Sequence, residues 1–352
     1  MKTNARKQLG KTDLQTTALS MGTAGLAGLY HGVPFDDAIA ALQAAWDAGM
    51  RYFDTAPYYG YGKSEHRVGH VLRNFLQYAE RSEFVLSTKV GRILKSRSRP
   101  GAQPRDINDG WNNPFPFEPV YDYSYSGVMR SFEDSLQRLG MAHIDILLVH
   151  DIGSATHGEL QAQYWQQLTG GGGFRALDEL RRSGTISAVG LGVNETDVVM
   201  AAMQEFDLDC CLLAGRYTLL EQQALDQFMP ECSQRKVSIL LGGIFNSGIL
   251  AKGMSDSKGL TYNYGPVPPA VISRVKQLDA VCLEFDVSLA AAALQFPYAH
   301  PQVASIIAGG RNAQEVNENT RSFRQLIPDE FWHALQSRGL LHAAAPLPVG
   351  KK

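Results

Sequence analysis

The sequence predicts an α/β protein built as a (β/α)8 barrel (TIM barrel) with an N-terminal β-hairpin. Short apolar runs alternate eight times with longer amphipathic segments, which is the pattern of parallel strands joined by helices. The turn after the first run also lacks the G-x-G-x-x-G spacing of an open Rossmann sheet; it reads Gly22-Thr23-Ala24-Gly25-Leu26-Ala27-Gly28. The closed barrel is therefore the prediction, and an open doubly wound sheet is the alternative.

The repeats divide the chain into strands and helices without a break that would mark a second domain, so residues 1–352 are interpreted as one barrel domain. The predicted strands lie at 18–22, 51–55, 84–90, 144–150, 186–192, 210–214, 238–243 and 303–308. The clearest predicted helices lie at 36–49, 64–75, 126–139, 174–182, 196–206 and 270–285. Ser64 is the expected N-cap of the second helix, and Gly49, Gly140 and Gly184 are expected to end helices.

Composition restricts the classes of partner. Hydrophobic residues make up 44% of the 352-residue chain, charged residues make up 19%, and the formal net charge is -2, an ordinary globular balance. Lys and Arg are scattered, which argues against a nucleic-acid partner, and no run reaches the roughly 18 apolar residues of a membrane span. We expect a cytoplasmic protein that acts on a small molecule, while its oligomeric state is not predicted. The four cysteines form no C-x-x-C pair and are expected to be buried structural thiols.

One segment interrupts the regular alternation. Residues 92–123, after the third strand, are rich in Pro, Asn and Arg and contain Trp111, Phe115, Phe117, Tyr121 and Tyr123. A long inserted loop of this kind is usually a functional lid or a disordered stretch. We expect it to form a lid or rim over the site, with an oligomer contact or a mobile insert as alternatives.

In a barrel of this type, polar residues at the carboxyl ends of strands are the candidates for catalysis. Asp54 ends the second predicted strand, and Tyr59 follows in the next loop. Lys89 lies in the apolar run of the third strand, and His150 ends the fourth. These four positions are neighbours in the predicted barrel wall.

The chemistry of the four side chains is complementary. A phenol ionises near pH 10, so Tyr59 needs a nearby cation that lowers its pKa before it can exchange a proton near neutrality. Lys89 supplies that cation, and Asp54 keeps the ammonium charged and oriented despite burial. His150 can form a hydrogen bond to the substrate oxygen. The set is suited to proton transfer in the interconversion of a carbonyl and an alcohol.

With these residues in place, the sequence resembles the aldo-keto reductase superfamily, whose members carry an Asp, Tyr, Lys and His tetrad at successive strand ends. The resemblance extends over nearly the whole chain, and the four residues between Asp54 and Tyr59 match the family spacing. The shared motifs are Leu9-Gly10-Lys11-Thr12-Asp13-Leu14, Met21-Gly22-Thr23, Phe53-Asp54-Thr55-Ala56, Tyr58-Tyr59-Gly60, Gly62-Lys63-Ser64-Glu65 and Ser87-Thr88-Lys89. The resemblance implies hydride transfer to or from a nicotinamide cofactor, with the tetrad as catalytic residues.

Three family positions that hold the nicotinamide differ in this chain. Ser and Asn after the fifth strand become Gly192 and the displaced Asn194, the Gln after the sixth becomes Ala214, and the stacking Tyr after the seventh becomes Gly242. Asn194 is the expected carboxamide contact, and Phe245 is the expected ring contact.

The resemblance implies a phosphate site in the loops after the last two strands, where backbone amides precede a helix. The expected cofactor contacts are Gly22, Thr23, Asn194, Phe245, Asn246, Ser247, Gly248, Gly309, Gly310, Arg311, Glu315, Glu318 and Asn319. Glu315 occupies the position where many NADPH-dependent members carry Arg, and a carboxylate there repels a 2'-phosphate and can accept a hydrogen bond from a free ribose hydroxyl. NAD is therefore the expected cofactor, and NADP is the alternative because Arg311 can receive a phosphate.

The strings 190–195 and 243–250 resemble a subgroup of sugar and pyridoxal dehydrogenases. This resemblance implies oxidation of the anomeric hydroxyl of an aldose such as L-fucose to the lactone. Pyridoxal oxidation, L-galactose oxidation and NADPH-dependent aldehyde reduction are the alternatives, and a non-catalytic regulatory subunit that binds dinucleotide is a remote one. No metal site is predicted, since His66 and His70 share a helix face but have no Glu or third ligand in the expected places.

Overall fold

The computed structural model describes residues 1–96, 109–253, 261–263 and 265–350. Eight parallel strands close into a barrel in chain order, and the last strand pairs with the first through Gly309 and Gly22. The barrel strands are β1 (Leu19–Gly22), β2 (Tyr52–Asp54), β3 (Val85–Val90), β4 (Ile146–His150), β5 (Ala188–Val193), β6 (Cys210–Ala214), β7 (Ser238–Gly242) and β8 (Val303–Gly309). The predicted (β/α)8 fold is confirmed, and the expected N-terminal hairpin is formed by Arg6–Gln8 and Gln15–Thr17.

Helices surround the barrel. They are α1 (Phe35–Asp47), α2 (Lys63–Phe75), α3 (Tyr125–Leu139), α4 (Ser154–His157), α5 (Gln161–Leu168), α6 (Gly173–Arg182), α7 (Thr196–Glu205), α8 (Phe228–Arg235), α9 (Ile249–Lys252), α10 (Pro269–Glu284), α11 (Leu289–Gln295), α12 (Ala313–Arg324) and α13 (Asp329–Ser337). The six helices predicted from sequence are all present, with small shifts at their ends. A short antiparallel ladder also joins Thr261–Tyr262 to Gly265–Pro266.

Local signals explain both ends of α3 but not the start of α2. The Ser124 side chain accepts a hydrogen bond from the Gly127 amide at the start of α3, and Gly140 ends that helix with a φ of 61°. The expected N-cap role of Ser64 is wrong. Gly62, with a φ of 93°, precedes α2, while the buried Ser64 hydroxyl donates to the Thr23 carbonyl 3.1 Å away. The Ser64 side chain therefore forms a tertiary hydrogen bond instead of the helix cap that the local sequence predicts.

The insert at 92–123 is not an open loop where the structure describes it. Its two flanks, Arg92–Ser96 and Phe117–Tyr121, form an antiparallel hairpin in which Arg92 pairs with Tyr121. Residues 97–108 lie outside the described residues. The part that follows is joined to the loop after β1, since the Tyr30 amide donates to Gly110 at 2.7 Å. We refer to Arg92–Ser96 and Phe117–Tyr121 as the inserted hairpin.

The barrel interior is filled by side chains. One set points inward and packs under Leu9 of the N-terminal segment: Tyr52, Val85, Ile146, Leu148, Ala188, Cys210, Leu212, Leu240, Ala304 and Ile307. Alternate residues of the same strands, such as Leu147 and Val149, pack outward against the helices. The four cysteines are buried and unbonded, as expected. With a packed interior, a ligand can enter only at the rim of the barrel.

Within the described ranges, no single helix has both the length and the apolar character needed to cross a membrane. α10 and the segment Leu289–Ala299 meet that test only when taken together, as a pair bent by 102°.

Candidate active site

An open cavity of about 780 Å³ lies over the carboxyl ends of the barrel strands. Tyr59, Lys89 and His150 line it, while Asp54 lies behind Lys89 and is almost entirely buried. Asp54 is the last residue of β2, Lys89 lies in β3 and His150 is the last residue of β4, while Tyr59 lies in the loop after β2. The fold thus brings together the four residues proposed from sequence.

Lys89 and Asp54 form a buried ion pair. The Lys89 Nζ lies 2.9 Å from Asp54 Oδ1 and 2.8 Å from Oδ2, and it also donates to the Thr55 carbonyl at 2.9 Å. The Ser87 hydroxyl donates to Asp54 Oδ1 at 2.6 Å. Burial alone would lower the pKa of Lys89, but Asp54 and Tyr59 hold it above its ordinary value. Lys89 is therefore a permanent cation.

The Tyr59 ring lies over this cation, with Lys89 Nζ 4.7 Å from the ring centroid. Lys89 lowers the pKa of Tyr59, as expected, but it does not bring that pKa below its ordinary value. Burial is the larger effect and raises the pKa of Tyr59 to about 12, while the charge of Lys89 opposes the rise. A buried phenolate loses its hydration, and the charge of one cation does not fully offset that cost.

His150 is a neutral imidazole at physiological pH. Burial, and then the positive charges of Arg92 and Lys89, hold the pKa of His150 well below its ordinary value. Its ring lies 5.8 Å from the Tyr59 ring, centre to centre, at 85°. The two side chains therefore meet edge to face at the floor of the cavity.

The structure adds an arginine and a carboxylate that the sequence interpretation did not single out. Arg92, the first residue of the inserted hairpin, is 4% exposed and forms an ion pair of 2.8 Å with Asp151, which directly follows His150. The Arg92 guanidinium also lies 3.9 Å from the centre of the Tyr58 ring. Both charged residues line the cavity. Their positions in the sequence could have indicated a place in the site, because Arg92 lies three residues after Lys89 and Asp151 directly follows His150.

The unusual Gly192 has a packing reason. A Cβ added at this position would lie 3.1 Å from Lys89 Cε and 3.4 Å from its Cδ. Gly192 therefore leaves the space through which the Lys89 side chain reaches Asp54.

The expected nicotinamide contacts lie in different surroundings. Asn194 lines the cavity, and its carbonyl accepts a hydrogen bond of 2.7 Å from Arg216 Nε. Arg216, which the sequence interpretation missed, also lines the cavity and donates to Asn263 at 3.1 Å. Phe245 is partly buried against the hydrophobic core and is not among the residues that line this cavity.

The first-strand turn is built tightly into the barrel. Gly22 pairs with both Asp54 and Gly309, and a Cβ there would lie 2.9 Å from Ile307. The Thr23 hydroxyl is buried and donates to the Asp54 carbonyl at 2.7 Å. Thr23 thus supports the strand end that carries Asp54.

The loops after β7 and β8 fit a dinucleotide phosphate. Asn246, Ser247 and Gly248 have φ values of 44°, 61° and 98°, and a Cβ at Gly248 would meet nothing within 4 Å. At Gly309 the nearest atom to an added Cβ is 3.9 Å away, and Gly310 then leads into α12. Backbone that borders open space before a helix N-terminus is suited to an anion. NAD or NADP therefore fits the residues present.

The start of α12 carries a closed ion pair. Glu315 accepts hydrogen bonds from the Arg311 amide at 2.8 Å, from Nε at 2.9 Å and from Nη2 at 2.6 Å. Although burial alone would raise it, these contacts lower the pKa of Glu315. One turn further along, Glu318 accepts from Gln314, and Asn319 donates to the Gly309 carbonyl at 2.9 Å.

His66 and His70 each pack against a phenylalanine ring rather than toward each other. The His66 ring lies 5.4 Å from Phe115, and the His70 ring lies 5.4 Å from Phe35. Among the residues that the structure describes, no group of three or more His, Cys, Asp or Glu side chains is arranged to hold a metal ion.

A parallel barrel with a Lys-supported tyrosine and a neutral histidine at its rim defines an oxidoreductase of the nicotinamide-dependent type. The chain matches the model of the aldo/keto reductase family over residues 18–338 and belongs to that family.

Two relatives of known activity align over almost the whole chain. A pyridoxal 4-dehydrogenase of Microbacterium luteolum is 48% identical over 346 residues, which cover 97% of this chain and 99% of the relative. A D-threo-aldose 1-dehydrogenase of a Pseudomonas species is 36% identical, with 93% and 95% of the two chains covered. The predicted resemblance to this subgroup is confirmed, with higher identity to the pyridoxal enzyme than to the aldose enzyme.

Solved structures agree with the fold. The holo form of aldo-keto reductase AKR11C1 from Bacillus halodurans superposes with a TM-score of 0.70 at 23% identity, covering 97% of each chain. The glycerol dehydrogenase AKR11B4 from Gluconobacter oxydans gives a TM-score of 0.72 at 19% identity, covering 100% of this chain and 99% of the other.

Proposed function

We propose that this protein is an NAD-dependent dehydrogenase that oxidises the hemiacetal carbon of a cyclic substrate to a lactone, with pyridoxal as its first substrate. Pyridoxal carries an aldehyde beside a hydroxymethyl group, and the two close into a cyclic hemiacetal. The observation that carries the proposal is the 48% identity to a pyridoxal 4-dehydrogenase over 97% of the chain. Tyr58, Trp111 and Tyr121 give the cavity aromatic walls, which suit a flat heteroaromatic ring.

Tyr59 is the proton acceptor in this proposal. As the phenolate, which the charge of Lys89 stabilises, Tyr59 takes the proton of the hemiacetal hydroxyl while the hydride leaves the carbon, and Asp54 holds Lys89 in place. His150 donates a hydrogen bond to the substrate oxygen and so fixes the carbon that is oxidised. NAD⁺, when bound, would supply the hydride acceptor, and its positive charge would lower the pKa of Tyr59.

NAD rather than NADP is the proposed cofactor. Glu315 places a carboxylate where a 2'-phosphate is bound in many family members, and its three hydrogen bonds to Arg311 occupy the nearest cation. The Glu315 carboxylate would repel a 2'-phosphate, and the phosphate would have to displace that carboxylate before it could bind Arg311. Glu315 therefore disfavours NADP in two ways.

An aldose is the second candidate substrate. The 36% identity to a D-threo-aldose 1-dehydrogenase supports it, and the anomeric hydroxyl of a pyranose is itself a cyclic hemiacetal. The same four side chains serve both substrates, because the reacting group is the same. The choice depends on the walls of the cavity, where Trp111 and Tyr58 can stack on a sugar face as well as on a pyridine ring.

Initial rates of NADH and NADPH formation with pyridoxal, L-fucose, D-arabinose and L-galactose test the proposal. We expect NADH formation and a lactone product, with the highest kcat/KM for pyridoxal. Faster turnover of L-fucose would make the aldose the substrate and leave the hemiacetal chemistry intact. Oxidation of NADPH by simple aldehydes, with no lactone from any of the four, would replace the proposal with an aldehyde reductase.

A further inference from the structure

The two flanks of the inserted hairpin pack against each other, and one of them is bonded to the His150 backbone. At one flank, Gly91 has a φ of 101° and lets the chain turn out of β3; a Cβ there would lie 2.1 Å from the Tyr123 ring. At the other flank, the buried Tyr123 hydroxyl donates to the His150 carbonyl at 2.7 Å. This hydroxyl also lies 2.9 Å from His157 Nε2. The hairpin therefore supports the backbone that carries the histidine.

Arg92 makes the contact with the His150 side chain. Its Nη1 lies 3.4 Å from His150 Nδ1, while its Nη2 holds Asp151 at 2.8 Å. A guanidinium has only donors, so the imidazole nitrogen that faces it has to accept. A neutral imidazole that accepts at Nδ1 carries its proton on Nε2. Asp151 Oδ2 lies 3.4 Å from Nε2 but is not hydrogen-bonded to it, so an Nε2–H can be donated to a substrate oxygen.

We propose that Arg92 is a positioning residue that fixes His150 as the Nε2–H tautomer, so that the histidine presents a hydrogen-bond donor to the substrate oxygen. The proposal rests on the role of His150 given above. It has a mechanistic consequence, because a ring that donates at Nε2 and accepts from Arg92 at Nδ1 cannot take the substrate proton. Proton acceptance is then left to Tyr59.

The backbone next to His150 supports this assignment. Asp151 has a φ of 47°, a left-handed conformation that is unusual for a residue with a side chain. Strain of this kind persists at sites where the surrounding structure holds it. Here the Asp151 amide donates to Gly192 at 2.9 Å, and its carboxylate is held by Arg92. The turn thus places the Asp151 carboxylate where it holds the Arg92 guanidinium beside the His150 ring.

Several charged or titratable groups face the His150 ring, and they determine how it responds to pH. They are Lys89 from β3, Arg92 from the inserted hairpin, Asp151 from the loop after β4, and Tyr58 and Tyr59 from the loop after β2. Burial lowers the pKa of His150 most, and Arg92 is the next contribution. Loss of Arg92 therefore raises the pKa of His150.

The direct test is the tautomer of His150 in the unliganded full-length protein, read from nitrogen NMR of histidine labelled with ¹⁵N. A His150→Gln sample assigns its signals. We expect wild-type His150 to be the Nε2–H tautomer and to stay neutral from pH 8 to pH 5. An Nδ1–H tautomer in the wild type would overturn the proposal without any variant and without any substrate. A failure of hydride transfer would instead contradict the proposed function.

The variant arm uses Arg92→Gln. We expect mixed tautomers, a His150 titration that moves to higher pH, and a kcat lowered about 10- to 100-fold. An unchanged tautomer and titration in this variant would overturn the proposal. Arg181→Gln is the matched control, because Arg181 also forms a 2.8 Å ion pair, with Asp209, which lies just before β6 at the opposite end of the barrel. It should leave the His150 signals unchanged.

Discussion

Lys89 and Asp54 lie in contact beneath the Tyr59 ring, with 2.8 Å between Nζ and Oδ2 and with side-chain exposures of 1% and 4%. A buried pair of this kind is stable only when the remaining donors and acceptors are satisfied. Ser87 and the Thr55 carbonyl meet that requirement. The pair therefore places a fixed positive charge under a phenol, at the point where a proton is to be transferred.

Replacement of Lys89 by Met should impair both stability and turnover. The change leaves Asp54 buried without its cation, which costs about 3–5 kcal/mol of unfolding free energy. It also removes the charge that opposes the rise in the pKa of Tyr59, so we expect kcat to fall by about 10²-fold or more. Urea unfolding and steady-state rates measure the two effects. Lys11→Met, which removes an exposed pair with Asp207, should cost no more than about 1 kcal/mol.

The rate of substrate oxidation should rise with pH, while the reverse reduction should fall. Burial raises the pKa of Tyr59 to about 12, so the fraction of phenolate grows as pH rises toward that value. Well below the pKa, that fraction grows about tenfold for each pH unit. Profiles of kcat/KM from pH 6 to pH 10 in both directions check this. A flat oxidation profile, with hydride transfer shown to limit the rate, would contradict Tyr59 as the acceptor.

Glu315→Ala should shift cofactor use toward NADP. The variant removes a carboxylate that repels the 2'-phosphate and frees Arg311 to bind it. We expect the NADP to NAD ratio of kcat/KM to rise about tenfold or more, which corresponds to ~1.4 kcal/mol. Glu231→Ala is a matched control, because it breaks an Arg–Glu pair of the same spacing on α8. An unchanged NADP to NAD ratio in Glu315→Ala would show that Glu315 does not determine which cofactor is used.

The folded protein should lose stability in mild acid because buried histidines, which include His157 and His300 as well as His150, resist protonation. Burial, helped by Arg92, lowers the pKa of His157 to about 4, and burial, helped by Lys7, does the same for His300. The unfolded chain takes up these protons near pH 6.5, so stability is full above that pH and falls toward pH 4. The slope is as much as about 1.4 kcal/mol per pH unit for each histidine.

Urea unfolding between pH 7 and pH 4.5 measures that slope. A His157→Asn, His300→Asn double variant should start from a lower stability but lose less of it on acidification. His31→Asn, at an exposed position, should follow the wild type. Equal acid sensitivity of the double variant and the wild type would assign the effect to other groups.

The barrel and the tetrad could be predicted from sequence because their signals are local. Apolar runs mark the strands, and the four-residue gap from Asp54 to Tyr59 is a motif. Ser64 was assigned wrongly because a contact with Thr23, distant in sequence, decides its side chain. The lowering effect of Lys89 on the pKa of Tyr59 was predicted, but the larger effect of burial was not, because desolvation depends on packing that no motif encodes. The cytoplasmic location stays a prediction.

Arg92 and Asp151 were missed for a related reason. Their contact joins the start of the inserted hairpin to the residue after β4, 59 positions apart in sequence. The aromatic content of the insert predicted a wall over the site, and Trp111 and Tyr121 do line the cavity. The aromatic content did not indicate which charged residue of the insert would face the cavity. Such a pairing becomes visible only when the barrel brings neighbouring strand ends together.

Hydride transfer from pyridoxal deuterated at its aldehyde carbon tests the central claim most directly. In the presence of NAD, the account predicts that one deuterium appears in the reduced nicotinamide, that the other product is the lactone, and that Tyr59→Phe abolishes both while still binding NADH. The absence of deuterium from the reduced cofactor, or a Tyr59→Phe variant as active as the wild type, would contradict it.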